Sequence, residues 1–526
     1  MDVAPSLPPS FSQRTDPVLI SGGMGISISS WKLARVVSLM GELGVVSGTA
    51  LDIVYARRLQ LGDPGGSIRR AFAALAARCP GLAESVERLL SRHFNPAGKT
   101  AEQAFRNVSL GKLHLVEAFS SEMKTAWELS PDTQVLTLAA NFAEVWLAKE
   151  GHAGKVGINY LRKVERPLLW ALCGALLANV DYVLVGAGRP SELPNIILDL
   201  CRHQPVELPL AVHGAPDRTD EHVMVLQPCR LLGAISTPTP LPRPKFLAIV
   251  SSHLLAQMLA ESPRTRPYGF VVESPTAGGH NAPPSMKHFN DRREPVLLYG
   301  EKDLADMDAI AKIGLPFWIA GSCGSPEKLR GALALGALGI QVGTLAALSG
   351  QSGMAPDLRK QTLSSLSKKH LRVKADARLS PTGFPFKVAQ IPGTLSDADV
   401  YSQRTRICDV GHLQTAFVRP DGGLGFRCPA EPVEDFLRKG GKTQSTVGRA
   451  CLCNALLATT GLAQCRAGGY REPAVVTLGD DLEPARQLMT ELAPGQDSFT
   501  IGKALRFILG GARRQKSAQP PTLELR

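Results

Sequence analysis

The chain has no apolar run long enough to suggest a membrane span. Its longest, residues 168–186, is broken by Asn179 and Asp181 and reads as a buried helix followed by a strand. The opening MDVAPSLPPSFSQ lacks the basic start and apolar stretch of a secretory signal, so a cytoplasmic protein without membrane contact is expected. Aromatic residues are scarce at 6%, and none interleave the short basic clusters at Arg69-Arg70, Lys368-Lys369 and Arg513-Arg514. Without such a stacking platform no nucleic-acid partner is expected. Phosphate-loop spacings are missing as well. Gly98-Lys99-Thr100 and Gly441-Lys442-Thr443 lack the glycine six residues before the lysine, and Gly22-Gly23-Met24-Gly25 does not carry the Rossmann spacing. Nucleoside triphosphatases and classical dinucleotide-binding folds are thereby set aside. Ten cysteines without an export signal read as reduced thiols or metal ligands rather than a disulfide framework.

What is present reads as an α/β protein. Hydrophobic residues make up 44% of the 526, and there are 50 glycines. The length suits roughly three domains of ordinary size, although an α/β barrel alone runs past 250 residues. Lys and Arg exceed Asp and Glu by 12, a balance suited to an acidic partner.

Short apolar runs bounded by Gly, Pro or Asn fall at residues 17–21, 44–48, 156–159, 182–186, 246–251, 269–273, 317–320 and 339–342. Helical segments follow most of them, at 30–41, 167–178, 190–203, 254–262 and 326–335. Alternation of this kind implies parallel strands with right-handed crossovers, and eight units close a (β/α)8 TIM barrel. The predicted barrel is built from residues 1–50 and 151–353. Residues 51–150 form a large helical insertion after strand 2, and 205–245 a hairpin insertion. Residues 354–510 form a C-terminal, α-rich, Cys-containing cap subdomain, and the polar tail 511–526 is expected to be disordered.

Chemistry concentrates at the ends of the strands. The sixth strand ends at Glu273 and runs into Gly278-Gly279-His280, where two glycines let a flat ligand approach the backbone beside an imidazole. A capping histidine in a tight turn is the plain alternative. The loops after strands seven and eight, Gly321-Ser322-Cys323-Gly324-Ser325 and Gly343-Thr344, carry small residues in the place where barrels commonly bind phosphate. A Gly-lined mouth, a phosphate clamp and one histidine together suit a phosphorylated planar cofactor.

With GGMG after strand one, Gly157 to Asn159 at strand three, TAGGHN after strand six, AGSCGSPEKL after strand seven and QVGT after strand eight, the chain resembles the FMN-binding barrel of the nitronate monooxygenase superfamily. That superfamily includes FMN-dependent enoyl reductases and the trans-acting enoyl reductases of polyketide and polyunsaturated fatty acid synthases. The stretches NFAEVWLAKEGH, SPTGFPFKV and CLCNALLA are similar to its longer members. The resemblance implies that Gly22, Gly23 and Met24 pack against FMN, and that Asn159 and Glu273 contact its ring or ribityl chain. It implies further that Gly278 and Gly279 flank the flavin, that Gly321, Ser322, Gly343 and Thr344 hold the phosphate, and that His280 stands over the ring as the catalytic residue. Ser322 departs from the family pattern, in which a second glycine is expected after Gly321.

Cys408, Cys428, Cys451 and Cys453, with Cys465 as a substitute, are candidate ligands for an iron-sulfur cluster or zinc. Their intervals match no compact ligand motif, so buried free thiols are the competing reading. His152 is read as structural, and His213 and His222 sit in the hairpin insertion as lid candidates. The resemblance implies an FMN-dependent oxidoreductase, foremost a trans-acting enoyl reductase that takes electrons from NADPH and reduces an unsaturated thioester on an acyl carrier protein. Three alternatives stay open: a nitronate monooxygenase on a small-molecule substrate, an FMN and iron-sulfur acyl dehydrogenase-isomerase, and a non-catalytic flavin-bound partner subunit. A homodimer is left open.

Overall fold

The computed structural model describes residues 16–514 apart from 122–123, 215–220, 234–238 and 292–294. Residues 515–526, most of the expected disordered tail, lie outside the described residues. Eight parallel strands form one sheet: β1 (Leu19–Ser21), β2 (Gly44–Ser47), β3 (Val156–Leu161), β4 (Tyr182–Gly186), β5 (Lys245–Val250), β6 (Gly269–Glu273), β7 (Phe317–Ala320) and β8 (Gly339–Val342). Each neighbours the next in chain order, and Leu19 pairs with Ile340 where β1 meets β8. The ring closes between β1 and β2, where Ser21 N–H donates to the Leu43 carbonyl at 3.0 Å and Leu43 N–H to the Leu19 carbonyl at 3.0 Å. The fold is the expected (β/α)8 barrel.

Alternation along the strands fills its interior. Ile20, Val45, Leu184, Leu247, Val271 and Trp318 are buried together, the layered packing that makes such a barrel a core rather than a pore. Its amino-terminal end is closed by polar bonds instead. The Asp16 carboxylate accepts from Tyr182 Oη and Tyr268 Oη, both at 2.7 Å, and from Lys245 Nζ at 2.6 Å, while Trp318 Nε1 donates to the Pro17 carbonyl at 2.9 Å. At the strand starts the helices approach very closely. A Cβ on Gly44 would overlap the Ala34 carbonyl of the helix Trp31–Leu39.

Two expectations about the first excursion need correction. Residues 51–150 are not wholly helical: His114–Val116 and Thr125–Glu128 are strands, joined with Val206–Pro209 and His222–Leu226 of the hairpin in one four-stranded sheet. Polar, half-exposed residues carry these strands, so they lack the apolar signature that marks the barrel strands. The helix Pro131–Lys149 packs against Trp31–Leu39 and Leu168–Leu177, so it is the barrel's own outer helix and the excursion proper ends near residue 130. The C-terminal region is mainly helical, as expected, with short strands among the helices. It contains the antiparallel pairs Val373–Asp376 with Phe386–Ala389 and Thr415–Val418 with Leu424–Arg427, the latter extended by Val212–His213 of the hairpin insertion. Its last helix, Ile501–Arg514, packs on Pro326–Ala334 and Trp31–Leu39 and so closes the outer ring between the seventh and first helices. No helix among the described residues is long and apolar enough to cross a membrane.

Trp318 is fully buried at the centre of the barrel. Its replacement by Ala should cost about 3–5 kcal/mol, seen as a lower urea midpoint, because the closed ring cannot collapse into the space. An unchanged midpoint would contradict the packed interior.

Candidate functional site

All twelve residues expected to serve FMN and catalysis line one cavity of about 450 Å³ at the carboxyl ends of the strands: Gly22, Gly23, Met24, Asn159, Glu273, Gly278, Gly279, His280, Gly321, Ser322, Gly343 and Thr344. The barrel brings them together from β1, β3, β6, β7 and β8, which are far apart in sequence. Asn159 Nδ2 donates to the Gly23 carbonyl at 3.1 Å, and any Cβ on Gly23 would overlap the Asn159 side chain. The pair thus fixes the first loop as well as lining the cavity. Gly321 adopts φ +97, and a Cβ there would overlap Ser274 Oγ, so both its conformation and its surroundings call for glycine. Ser322 follows at φ +52. It therefore takes the left-handed conformation that makes glycine the expected residue at this position. Thr344 Oγ1 accepts from Gly479 N–H at 2.9 Å, which ties the last barrel loop to the C-terminal region.

His280 is positioned largely by residues about 100 to 200 positions away. Its Nε2 shares a hydrogen bond with Ser380 Oγ at 2.7 Å, and its ring meets Phe386 edge to face at 4.9 Å between centroids. Gly279 N–H donates to Thr477 Oγ1 at 2.8 Å, Lys387 N–H to the Gly279 carbonyl at 2.9 Å, and Asn281 N–H to the Pro385 carbonyl at 3.0 Å. The Gly-Gly-His loop is therefore held by a single antiparallel bridge from His280 to Phe386, and the capping-turn reading is replaced by a clamped imidazole. Burial, with the Lys163 charge as a smaller contribution, pushes the His280 pKa down to about 4. Burial alone pushes Glu273 up to about 7.

Sequence reasoning passed over several lining residues. Gln341 Oε1 and Asn281 Oδ1 are buried acceptors without a partner among the described residues, and both residues line the cavity. Ile249, Leu255, Phe384, Leu452 and Leu456 make an apolar flank. A second recess of about 180 Å³ shares Ser251, Glu273, Asn281 and Ala282 with the first and adds Tyr299, Lys302 and Asp303. The SPTGFPFKV and CLCNALLA motifs were visible, but nothing local says that they face a barrel loop.

These residues fit the implied flavin. Glycines leave a cradle that a Cβ would narrow at Gly22 and Gly343, two orphaned amide oxygens await donors, and the glycine-bearing loops after β7 and β8 stand where a phosphate is expected. The implied metal cluster fits less well. Cys408 contacts Cys428 and Cys451 contacts Cys453, thiol to thiol, while Gln414 Nε2 donates to Cys408 Sγ at 3.7 Å and Asn454 Nδ2 to Cys451 Sγ at 3.6 Å. Among the described residues no group of three or more His, Cys, Asp or Glu side chains is arranged to hold a metal ion. The four thiols are near enough to affect one another, Cys451 being raised by Cys453, Cys408 and Cys428 and Cys408 by Cys428 and Cys453, without that arrangement. His152 caps its own turn through Ala148 and Gly154, and neither His213 nor His222 lines the cavity.

No protein-family model matches the chain, and no curated protein does. Among solved structures it is similar to FabK from Thermotoga maritima, at 13% identity and TM-score 0.44 over 95% of this chain and 94% of that one. It is similar also to nitroalkane oxidase from Streptomyces ansochromogenes, at 13% and 0.41 over 95% and 97%. A third is the enoyl reductase domain of MlnA from the macrolactin biosynthesis cluster of Bacillus amyloliquefaciens, at 11% and 0.45 over 95% and 96%. At these identities and TM-scores the likenesses add nothing to what the barrel itself shows.

The depressed His280 pKa has a definite consequence for stability. The unfolded chain binds the proton more readily than the folded one, so stability is lost as pH falls from about 6.5 towards about 4. His280→Gln should remove a loss on the order of 3 kcal/mol from that acid limb, measured as urea midpoint against pH. An acid limb of unchanged depth would show that the imidazole is solvated.

Proposed function

We propose that the protein is an FMN-dependent oxidoreductase that reduces an α,β-unsaturated thioester with electrons from NADPH, acting on an acyl chain presented by a carrier protein. The observation that carries this reading is the cavity itself. One space combines a glycine cradle, orphaned amide acceptors, a clamped neutral imidazole and an apolar flank. Bound FMN would supply hydride transfer. Gly22, Gly23, Met24 and Gly343 would border it, Gln341 and Asn281 would accept its donors, and the β7 and β8 loops would hold its phosphate.

The chain's own residues do the rest. With Nε2 engaged by Ser380, Nδ1 of His280 is the ring atom left for a ligand. Ser380 donating to Nε2 would place the proton on Nδ1, where it can hydrogen-bond a thioester carbonyl and draw charge towards oxygen. A base of pKa about 4 is poorly matched to abstracting an α-proton at neutral pH, which favours this polarising role over the proton abstraction that a nitroalkane would require. Leu255, Phe384, Leu452 and Leu456 offer an acyl chain apolar contact that a small nitronate does not need. The adjoining recess with Tyr299 and Lys302 gives a second reactant a polar approach past Glu273.

The test is anaerobic stopped-flow spectroscopy of the FMN-loaded protein. NADPH should bleach the flavin, and a crotonyl thioester should restore its colour. His280→Ala should lower kcat/KM for the thioester about 100-fold while the protein retains its flavin. Bleaching by an alkyl nitronate but not by NADPH would replace this reading with a nitronate monooxygenase. Unchanged turnover in His280→Ala would overturn the role given to the imidazole, and no turnover of either substrate would leave a flavin-bound partner subunit.

A further inference from the structure

Where β3 and β4 end, the rim of the cavity carries positive charge that the fold leaves uncompensated. Leu161 closes β3 and borders the cavity, and Lys163 follows two residues later. Gly186, Ala187 and Gly188 border it at the end of β4, and Arg189 comes next. Both basic residues are exposed. The carboxylates of these two loops are already engaged. Arg162 holds Glu165 through Nη1 at 2.9 Å and Glu192 through Nε, and Glu165 also accepts from the Ala211 N–H at 2.9 Å. Among the described residues neither Lys163 nor Arg189 has a carboxylate within ion-pair distance.

Lys163 is seated against the cavity wall. Its Nζ stands 3.6 Å from the centre of the Phe384 ring, and Phe384 belongs to the apolar flank of the cavity. An aromatic face attracts an ammonium without neutralising it. The same charge is close enough to the imidazole to weigh against protonation of His280. Burial lowers the Lys163 pKa although the Glu165 charge opposes it. An ammonium that has lost part of its water without gaining a counter-ion is stabilised by an anion brought to it. Lys387, the basic side chain beside the Gly-Gly-His clamp, differs in being paired with Asp480 at 2.7 Å.

We propose that Lys163, with Arg189, forms a subsite for a phosphate group on a reactant whose reactive end lies at His280.

This deepens the reductase reading and rests on it, because that reading brings two phosphate-bearing reactants to the cavity: the arm that carries the thioester and a nicotinamide nucleotide. In each the reactive end is separated from the phosphate by a linker, so the one occupies the cavity while the other stays at the rim. A point charge at Lys163 and a planar fork at Arg189 suit phosphate oxygens, which accept charge-assisted hydrogen bonds.

The experiment is calorimetric titration of the FMN-loaded protein with two pairs of ligands, each pair differing by one phosphate: 4′-phosphopantetheine against pantetheine, and nicotinamide mononucleotide against nicotinamide riboside. In at least one pair the phosphate should tighten binding roughly tenfold. Lys163→Met keeps an apolar stem on Phe384 and removes the charge, and should abolish most of that gain while leaving the phosphate-free ligand unchanged. Lys163→Arg should retain the gain, and Arg189→Gln should reduce it. A gain in the first pair assigns the subsite to the thioester arm, and a gain in the second to the nicotinamide reactant. No gain in either pair, or a gain that survives Lys163→Met, overturns the proposal. The titrations need no turnover, so the two readings fail separately. A protein that NADPH does not bleach, but whose phosphate gain depends on Lys163, loses the reductase reading and keeps the subsite.

Discussion

Everything at the mouth of this barrel depends on how one loop is held. A strand that ends in Gly278-Gly279-His280 has two residues with the widest backbone freedom immediately before its imidazole, and left alone it would sample many positions. The C-terminal region removes that freedom with backbone hydrogen bonds from Lys387 to Gly279 and from Asn281 to Pro385, and with the side chains of Thr477 and Ser380. Gly278 itself is required by this contact, since a Cβ there would meet the Leu478 backbone at 2.8 Å. The glycines thus serve close approach from the tail as much as approach by a ligand. The barrel supplies the floor of the cavity and the C-terminal region supplies its clamp, so neither makes the site alone.

The same division explains which parts were legible in the sequence. All eight barrel strands can be found from short apolar runs that end in glycine or another small residue, because a strand buried on both faces must be apolar throughout. The rule that barrels place their chemistry at the carboxyl ends of strands points to the loops after strands six, seven and eight, while Gly22, Gly23, Met24, Asn159 and Glu273 were implied by the family resemblance. Ser380, Thr477 and His412 could not be found this way. Their roles exist only through contacts across 100 to 360 residues, and local pattern carries no trace of such distances. The strands at 114–116 and 125–128 escaped for the opposite reason, being short, half-polar and stabilised by the hairpin they pair with. The cysteine spacing matched no compact ligand motif and so favoured free thiols over ligands, and it carried no sign that the four side chains come near one another in space.

Burial sets the electrostatics of the cavity in a consistent direction. Desolvation disfavours whichever form is charged, so it lowers His280 and raises Glu273 within one space. Both groups are thereby biased to be neutral when the cavity is dry. A neutral histidine and a neutral carboxyl are hydrogen-bonding groups rather than ions, which suits a site that must orient an uncharged ring system and a carbonyl. The buried charge of the region lies instead one layer behind the wall, where Asp52 faces His412 and Arg166 faces the thiols.

That placement of charge bears on how the region around residues 408–453 came to line the cavity. Buried ion pairs contribute little net stability, because desolvation offsets most of their attraction. Apolar packing could hold the C-terminal region on the barrel as well as Asp52 and His412 do. A carboxylate at the start of the helix Leu51–Gln60, reaching a histidine 360 residues later, instead fixes one imidazole nitrogen and leaves the other directed elsewhere. The pair therefore sets the orientation of an imidazole that borders the cavity at the seam between the barrel and the C-terminal region.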